Sequence, residues 1–460
     1  RILNQAMQTT SQPDDRHWIS ERMLNDAWDE IGLKCFNDGV GMGLGECEIK
    51  RLKRDFLITI SILVSIRWSG WSAFRVNFLL NADKNSLRDT NLPVSDICSQ
   101  QLRNYMTEQE ATDFLEKQHV YLPEILQGKG APMVSPERRL PYIKSKHLHI
   151  GDGASGRVFK EVIPSGCYSR DGYTNQACLV LCSIFRNILL TIQQTDINVA
   201  RKEIFVGDGM GKREATNIEL LRNSITKHDH ILPIYAVYTY KDTLNIISEL
   251  ADDDLEVFLT GDQYDIIFSA SQCLAKLLSE TCNLAHALAF LHDRLRETDK
   301  NQILCHMDFH TRNILVKDTA NDFKFVISDF GLAKVQRDPR DRQTPLNLQE
   351  VTKTNARRRA GTFLAPEVRT GSTSFVGRKS DVWSLACIVI RILIRGVLGR
   401  EALNQFDQSR VNASKSKSKD YFYSRTQEGG CVINEAVEIW LSNLSSKSGQ
   451  FVRRLLSNLR

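Results

Sequence analysis

The sequence predicts an α+β chain in three stretches: a mostly helical extension over residues 1–140, a β-rich stretch at about 147–250 and a mainly helical stretch at about 251–460. Three observations carry this. His149–Val158 (HIGDGASGRV) is glycine-rich and runs on into RVFKEV, whose apolar and polar residues alternate as in a strand. Ser269–Leu291 (SASQCLAKLLSETCNLAHALAFL) places its apolar residues at helical spacing. Between Cys305 and Ala333 the chain reads CHMDFHTRNILV, KDTANDFKFVI and SDFGLA, a short hairpin of β-like runs set between two acidic motifs.

At 460 residues the chain exceeds one typical domain. With 42% hydrophobic and 25% charged residues and a net charge of +5, it has an ordinary globular profile, and so mild a basicity gives no argument for a nucleic-acid partner. The eleven cysteines are odd in number and never form C-x-x-C. They fit free thiols in a reducing, cytoplasmic (or nuclear) setting rather than a disulfide framework or a zinc site. The apolar runs Phe56–Ile66 and Leu179–Ile192 are too short for a transmembrane segment, and Arg186 interrupts the second. The first residue is Arg1 rather than Met, as expected of a fragment or processed product, which leaves a preceding targeting signal open.

In the extension, residues 1–20 are polar and expected to fray, and Glu21–Glu30 suits a short helix. Asp38–Glu46 (DGVGMGLGE) alternates glycines but has no strand before it, and reads as a flexible linker rather than a phosphate loop. Lys50–Phe74 is rich in Ile, Leu and Trp and fits either a buried helix pair or a strand. Trp68, Trp71 and Phe74 are expected in the core. Glu108–Leu126 begins as an amphipathic helix that stops before Pro123. Residues 1–140 contain no catalytic constellation.

His306, Asp308 and Asn313 form H-x-D-x-x-x-x-N, and Asp329, Phe330 and Gly331 follow after the hairpin. Phosphoryl transfer needs this set: one carboxylate to take a hydroxyl proton, and an Asn and a second Asp to hold magnesium on the phosphates. Gly151, Gly153 and Gly156 make G-x-G-x-x-G, with Val158 two residues on; a strand rather than a helix follows, which favours a lid over ATP phosphates. Val199-Ala200-Arg201-Lys202 supplies a strand lysine. Its partner is expected to be Glu219, nine residues before His228. Gly207–Lys212 (GDGMGK) lacks the Ser or Thr of a P-loop and reads as a plain turn. Between Gly156 and Lys202 lie far more residues than a hairpin needs. The excess, 165–196, fits a lobe insertion, a docking element or retained non-coding sequence; the last is favoured, because no turn chemistry marks its ends. Asn245–Ala251 is the expected strand leading to Ser248, Glu249 and Ala251 at an adenine edge, and Asp252–Asp254 opens a short helix, DLEVFL.

These motifs, in this order, resemble the eukaryotic protein kinase family over about residues 147–460, with a texture similar to the kinases of filamentous fungi. The resemblance implies a two-lobed fold, an N-lobe at about 147–250 and a C-lobe at about 251–460, with ATP and Mg2+ as cofactors and a protein as substrate. It makes Asp308 the base, His306 its loop neighbour, and Asn313 and Asp329 the magnesium ligands. Gly151, Gly153, Gly156, Val158, Ala200 and Lys202 face ATP, while Phe330 and Gly331 form a pivot. The activation segment ends at Ala365-Pro366-Glu367. Gly361-Thr362 before it is similar to the serine/threonine-type enzymes. Arg337, Arg340, Arg342 and Arg357–Arg359 suit a phosphate on Thr344, Thr352 or Thr354, or a solvated basic loop. Asp381, opening an apolar helix, is expected to brace the catalytic loop.

The chain departs from the family at three points. Met307 replaces the usual Arg, so activity is not expected to need loop phosphorylation. His310 stands where serine/threonine kinases carry Lys. No arginine suited to pairing with Glu367 follows, as in a truncated lobe, although Asn412–Asp420 reads as a loop and Glu435–Arg460 as a last helix. An active serine/threonine kinase is the leading reading. A pseudokinase scaffold and a small-molecule phosphotransferase of the aminoglycoside or choline type are the alternatives; the A-P-E segment argues against the latter.

Overall fold

The computed structural model describes the chain apart from residues 10–15, 81–86, 95–101, 153–155, 171–194, 207–209, 224–226, 271, 294, 298–299, 320–321, 338–361, 370–376, 414–420, 427–429 and 448–460. The described chain divides into two compact units, one of Arg1–Asp208 with Ile234–Leu250, the other of Gly209–Pro233 with Ala251–Arg460.

The first unit opens with α1 (Ile2–Ala6), β1 (Gln8–Thr9), β2 (His17–Trp18), α2 (Glu21–Ile31), α3 (Leu33–Val40), α4 (Glu46–Asp55), α5 (Leu57–Ser65) and α6 (Glu108–Tyr121). Local chemistry sets these ends. Ser20 Oγ accepts from Met23 N–H to start α2, Gly32 closes it at φ 75°, and Thr107 with Glu110 forms a capping box on α6. The apolar run Leu57–Ser65 is helical, resolving Lys50–Phe74 into the helix pair α4–α5. Its start has no cap of its own; Asp89 accepts from Ile58 and Thr59 N–H at 2.9 Å each.

Two expectations fail here. Residues 1–20 are not simply frayed, because Leu3 and Trp18 are buried. Asp38–Glu46 is not a flexible linker but the end of α3, a built turn over 41–45 and the start of α4: Asn37 Oδ1 accepts from Leu44 N–H at 2.9 Å, Met42 and Leu44 are buried, and Gly41 and Gly43 take φ of 70° and 63°. Trp68 and Phe74 are buried, with Trp71 edge-on to Trp68 at 5.2 Å between ring centres.

The same unit continues with β3 (Leu126–Gln127), β4 (Met133–Val134), β5 (Leu148–Asp152), β6 (Arg157–Ile163), β7 (Tyr168–Ser169), β8 (Ile197–Phe205), β9 (Ile234–Tyr240) and β10 (Thr243–Glu249). Six of them form one sheet in the order β4-β9-β10-β8-β6-β5. All neighbours are antiparallel except β4, which adds parallel to β9 with Met133 opposite Thr239. Alternation sends Phe159, Arg201 and Ile247 to one face, and Val158, Lys202 and Ile246 to the other.

The first face is covered by Trp18, Leu126, Val134, Leu140, Tyr142 and Ile143, so packing is continuous across the boundary expected near residue 140. Arg201 is buried there, bonded to Glu161 at 3.0 Å and Asn245 Oδ1 at 2.9 Å, with its guanidinium 4.7 Å from the Phe159 ring centre. Ion pairing and ring contact together offset the cost of burying that charge. The start of the 165–196 excess does carry turn chemistry. Cys167 N–H donates to Pro164 O at 3.1 Å beside Gly166 at φ 84°, and Ser165 N–H donates to Asp196 at 2.9 Å. The rest of that excess, 171–194, lies outside the described residues.

The second unit holds α7 (Met210–Asn223), β11 (Asp253–Asp254), α8 (Leu255–Thr260), α9 (Asp265–Ser269), α10 (Cys273–Asp293), β12 (Leu295–Glu297), β13 (Lys300–Cys305), β14 (Ile314–Thr319), β15 (Asp322–Ile327) and β16 (Lys334–Arg337). It goes on with α11 (Pro366–Arg369), α12 (Arg378–Leu398), α13 (Arg400–Ala413), β17 (Tyr423–Arg425), β18 (Cys431–Ile433) and α14 (Glu435–Lys447). Leu277, Leu284 and Leu291 of α10 share a core with Ile388 and Ile392 of α12 and with Phe258 and Phe325. Asp254 caps α8 through Val257 N–H at 2.9 Å, as its acidic start suggests.

Met210–Lys212 open α7 rather than forming a plain turn, and Ser269 ends α9, so the long helix starts only at Cys273. Helix α13 before the Ser/Lys-rich stretch was not anticipated. Arg340, Arg342, Arg357–Arg359, Thr344, Thr352, Thr354 and Gly361 lie outside the described residues. Among the described residues no helix is long and apolar enough to cross a membrane.

Candidate active site

The loop Cys305–Asn313 joins β13 to β14 and is held from below by Asp381, 1% exposed in the first turn of α12. Asp381 Oδ2 accepts from His306 N–H at 2.7 Å and pairs with His292 Nε2 at 2.9 Å; Oδ1 accepts from Met307 N–H at 2.8 Å. These bonds hold Met307 at φ 66°, a left-handed conformation that side chains disfavour. His306 is fully buried and its Nε2 lies 2.8 Å from Ser328 O, tying the loop to the residue before Asp329. His292, Cys305 and Asp381 cluster closely enough to hold an ion, but both Asp381 oxygens already take N–H donors. Burial, then Asp381, pushes the Cys305 thiol up to about 12, and the bonds of Asp381 to His292 and to the His306 and Met307 N–H groups brace the loop.

Asp308 is one-third open to solvent. Asn313 Nδ2 donates to Asp308 O at 2.9 Å and lies 3.4 Å from its Oδ2. His310 Nε2 is 3.7 Å from Asp308 Oδ2, while His310 Nδ1 accepts from Arg312 N–H at 3.2 Å. Burial opposes the charge on Asp308, but His310 and His306 more than offset it and hold the carboxyl below its ordinary range. Asp329 sits at φ 57°, with Oδ1 accepting from Gly331 N–H at 3.1 Å. Phe330 is buried with its ring 5.4 Å from that of His306. The Asn313 amide nitrogen is spent on Asp308, which leaves Oδ1 as the atom that could ligate a metal. With the Asp329 carboxylate this is a hard-oxygen donor set of the kind Mg2+ takes.

Helix α7 carries two glutamates in different surroundings. Glu219 is exposed on it, whereas Glu214, five residues earlier, is 2% exposed. A Cβ at Gly331 would come within 2.9 Å of Glu214 Oε2, so glycine is needed there to let that carboxylate lie against the Asp329–Gly331 turn. Asn217, on the same face, donates to Phe330 O at 2.8 Å and Ala333 O at 3.0 Å. Sequence reasoning missed both; the signal was the buried i, i+3, i+4 stripe Glu214, Asn217, Ile218.

In the first unit, Val158 lies opposite Lys202, and Ala200 opposite Ser248, so these four share one sheet face. A Cβ at Gly156 would stand 2.1 Å from Glu203 O, a close approach only glycine permits. Gly151 lies in β5, and Gly153 is outside the described residues. Glu249 ends β10, while Ala251 opens the other unit. Thr362 and Glu367 are half-buried around the fully buried Ala365.

Residues 187–458, more than half of the chain, match the family model described as protein kinase domain. The chain belongs to the protein kinase domain family. The match begins beyond β5 and β6, leaving the glycine-rich hairpin outside it. Similar proteins include the serine/threonine-protein kinase crk1 of Schizosaccharomyces pombe, 30% identical over 206 residues, covering 44% of this chain and 52% of that one. Cyclin-dependent kinase 7 of Caenorhabditis elegans is 26% identical over 203 residues, 43% of this chain and 52% of its own. A leaf rust 10 disease-resistance locus receptor-like protein kinase of Arabidopsis thaliana is 30% identical over 172 residues, 37% and 24% of the two chains. The chain thus spans about half the length of the first two of these kinases.

Proposed function

We propose that this kinase domain transfers the γ-phosphoryl group of ATP to serine or threonine hydroxyls of protein substrates. The observation that carries the reading is Asp308, a carboxylate kept ionised, one-third open, and tied through its own backbone to Asn313. An ionised carboxylate there can take the proton of an approaching hydroxyl as its oxygen attacks phosphorus. His306 and Asp381 fix the loop, so that Asp308 does not reorganise during transfer. Asn313 Oδ1 and Asp329 would hold magnesium, which would offset the charge on the phosphates. Lys202 contacts the phosphates, and the role of helix carboxylate expected of Glu219 passes to the buried Glu214. Val158, Ala200 and Ser248 line the nucleotide, with the backbones of Glu249 and Ala251 at the adenine edge.

The name of one relative, the serine/threonine-protein kinase crk1, favours serine and threonine as acceptors. The test is magnesium-dependent transfer from γ-labelled ATP to a mixed Ser/Thr/Tyr peptide pool. Label is expected on Ser or Thr and should fall by about 10²–10⁴ in Asp308→Asn. Label on Tyr alone overturns the specificity, and no transfer by the wild-type chain overturns the kinase reading.

A further inference from the structure

Behind the catalytic loop runs a chain of half-buried polar contacts that the phosphoryl-transfer scheme does not use; its arginines and Thr311 are buried, while Glu256 and Asp407 are about a quarter exposed. Thr311, two residues before Asn313 and 1% exposed, donates from Oγ1 to Glu256 Oε2 at 2.5 Å. Glu256, in the first turn of α8, is gripped by both arms of Arg391 from α12, Nη1 to Oε2 at 2.5 Å and Nη2 to Oε1 at 2.8 Å. Arg391 Nη2 also donates to Asp407 of α13 at 2.8 Å, and the other Asp407 oxygen receives Arg410. Arg391 and Arg410 are both buried, the latter with its guanidinium 4.1 Å from the Phe422 ring centre.

An ionic chain of this kind is a poor source of stability. Desolvating its charges costs several kcal/mol per ion, and apolar side chains of like volume often hold a core as well. What it supplies is direction, since a bidentate Arg–carboxylate pair fixes both groups in one plane. Burial opposes ionisation of Glu256 most strongly, yet Arg391 and Thr311 hold its carboxyl below the ordinary range, so it is a charged acceptor for Thr311. Thr311 starts the 3-10 turn Thr311–Asn313, which Asn313 N–H closes onto His310 O at 2.9 Å. Fixing Thr311 therefore fixes Asn313 two residues later and limits Asp308 three residues earlier.

We infer that Glu256 and Arg391 are positioning residues that set Asp308 and Asn313 through Thr311. The inference rests on the kinase reading, and its test separates the two. In the full chain, Thr311→Val keeps shape and removes the donor. It should lower kcat about tenfold while the KM for ATP stays within about twofold, and Thr311→Ser should recover most of the loss. Adding Glu256→Gln to Thr311→Val should lower kcat little further, because both act along one path. Wild-type kcat in Thr311→Val, failure of Ser to recover activity, or additive losses would overturn the inference. Amide exchange over 306–313 gives a readout free of catalysis, and should be about fivefold or more faster in Thr311→Val. If the wild-type chain transfers no phosphate, the kinase reading fails by itself and exchange decides; unchanged exchange then overturns the positioning role.

Discussion

Replacing Asp381 by asparagine removes one acceptor oxygen from a buried group that serves three donors, the N–H groups of His306 and Met307 and the His292 ring. Hydrogen bonds to a charged acceptor contribute about 1.5–3 kcal/mol each, and a buried donor left unmatched costs about 1–3 kcal/mol. The asparagine NH2 must face one of those donors, so at least one bond becomes a donor–donor contact. Met307 adds to this, because its left-handed backbone costs roughly 1–3 kcal/mol that the lost bond no longer holds in place. The expected loss is about 3–5 kcal/mol in the second unit. For a unit of this size about 2–4 °C accompany each kcal/mol, so a thermal scan should show Tm falling by about 6–20 °C. kcat should fall with it, since His306 and Asp308 lie on the released segment. A Tm within about 2 °C of wild type would refute the brace and the reasoning from it.

Glu214→Gln should lower kcat about 10–100-fold, the kinetic equivalent of losing one charged hydrogen bond, whereas Glu219→Gln on the exposed face should stay within about twofold; the reverse order would restore the sequence-based assignment. Asp89 is half-buried with its carboxylate against the start of α5, and desolvation, working against the Ile58 and Thr59 N–H groups, pushes its carboxyl up to about 6. A value above that of the unfolded chain means the folded state holds the proton more tightly. The stability it gives is complete below about pH 4 and declines by about 3 kcal/mol as pH rises to about 6. Urea midpoints of Asp89→Asn should lose this slope, and an unchanged slope would refute the assignment. Trp18→Ala should cost the first unit about 3–5 kcal/mol in urea unfolding, because the side chain is fully buried over the sheet; a loss under about 1 kcal/mol would show that the cover is dispensable.

The catalytic loop was legible because its chemistry demands particular residue types at fixed spacing. His306, Asp308, Asn313 and Asp329 each do something few other side chains can, and the hairpin between them is local. The burial of Glu214 was not legible, because Glu219 was chosen by its distance from His228, and that count ignores which way a helical side chain points. Glu214 and Glu219 are five residues apart, far enough round the helix for one to be buried and the other exposed. The ionic chain was invisible for a different reason: Glu256, Arg391 and Asp407 come from three helices, and no local pattern announces such a meeting. Likewise the two-residue pairing of β4 with β9 joins positions over a hundred residues apart and has no periodicity to detect.

That pairing bears on how the protein can be divided. A fragment cut at residue 147 would strip β9 of its outer neighbour and lay bare Tyr238, Arg201 and Ile247, which the preceding segment now shields. A sheet margin opened in that way is a template on which other copies stack. The first 140 residues are therefore unlike a detachable tether or a module that evolution could exchange freely. Trp18 and the stretch Leu126–Ile143 behave as the missing side of the sheet, and the smallest piece of this chain that stays dispersed in solution should begin before Trp18.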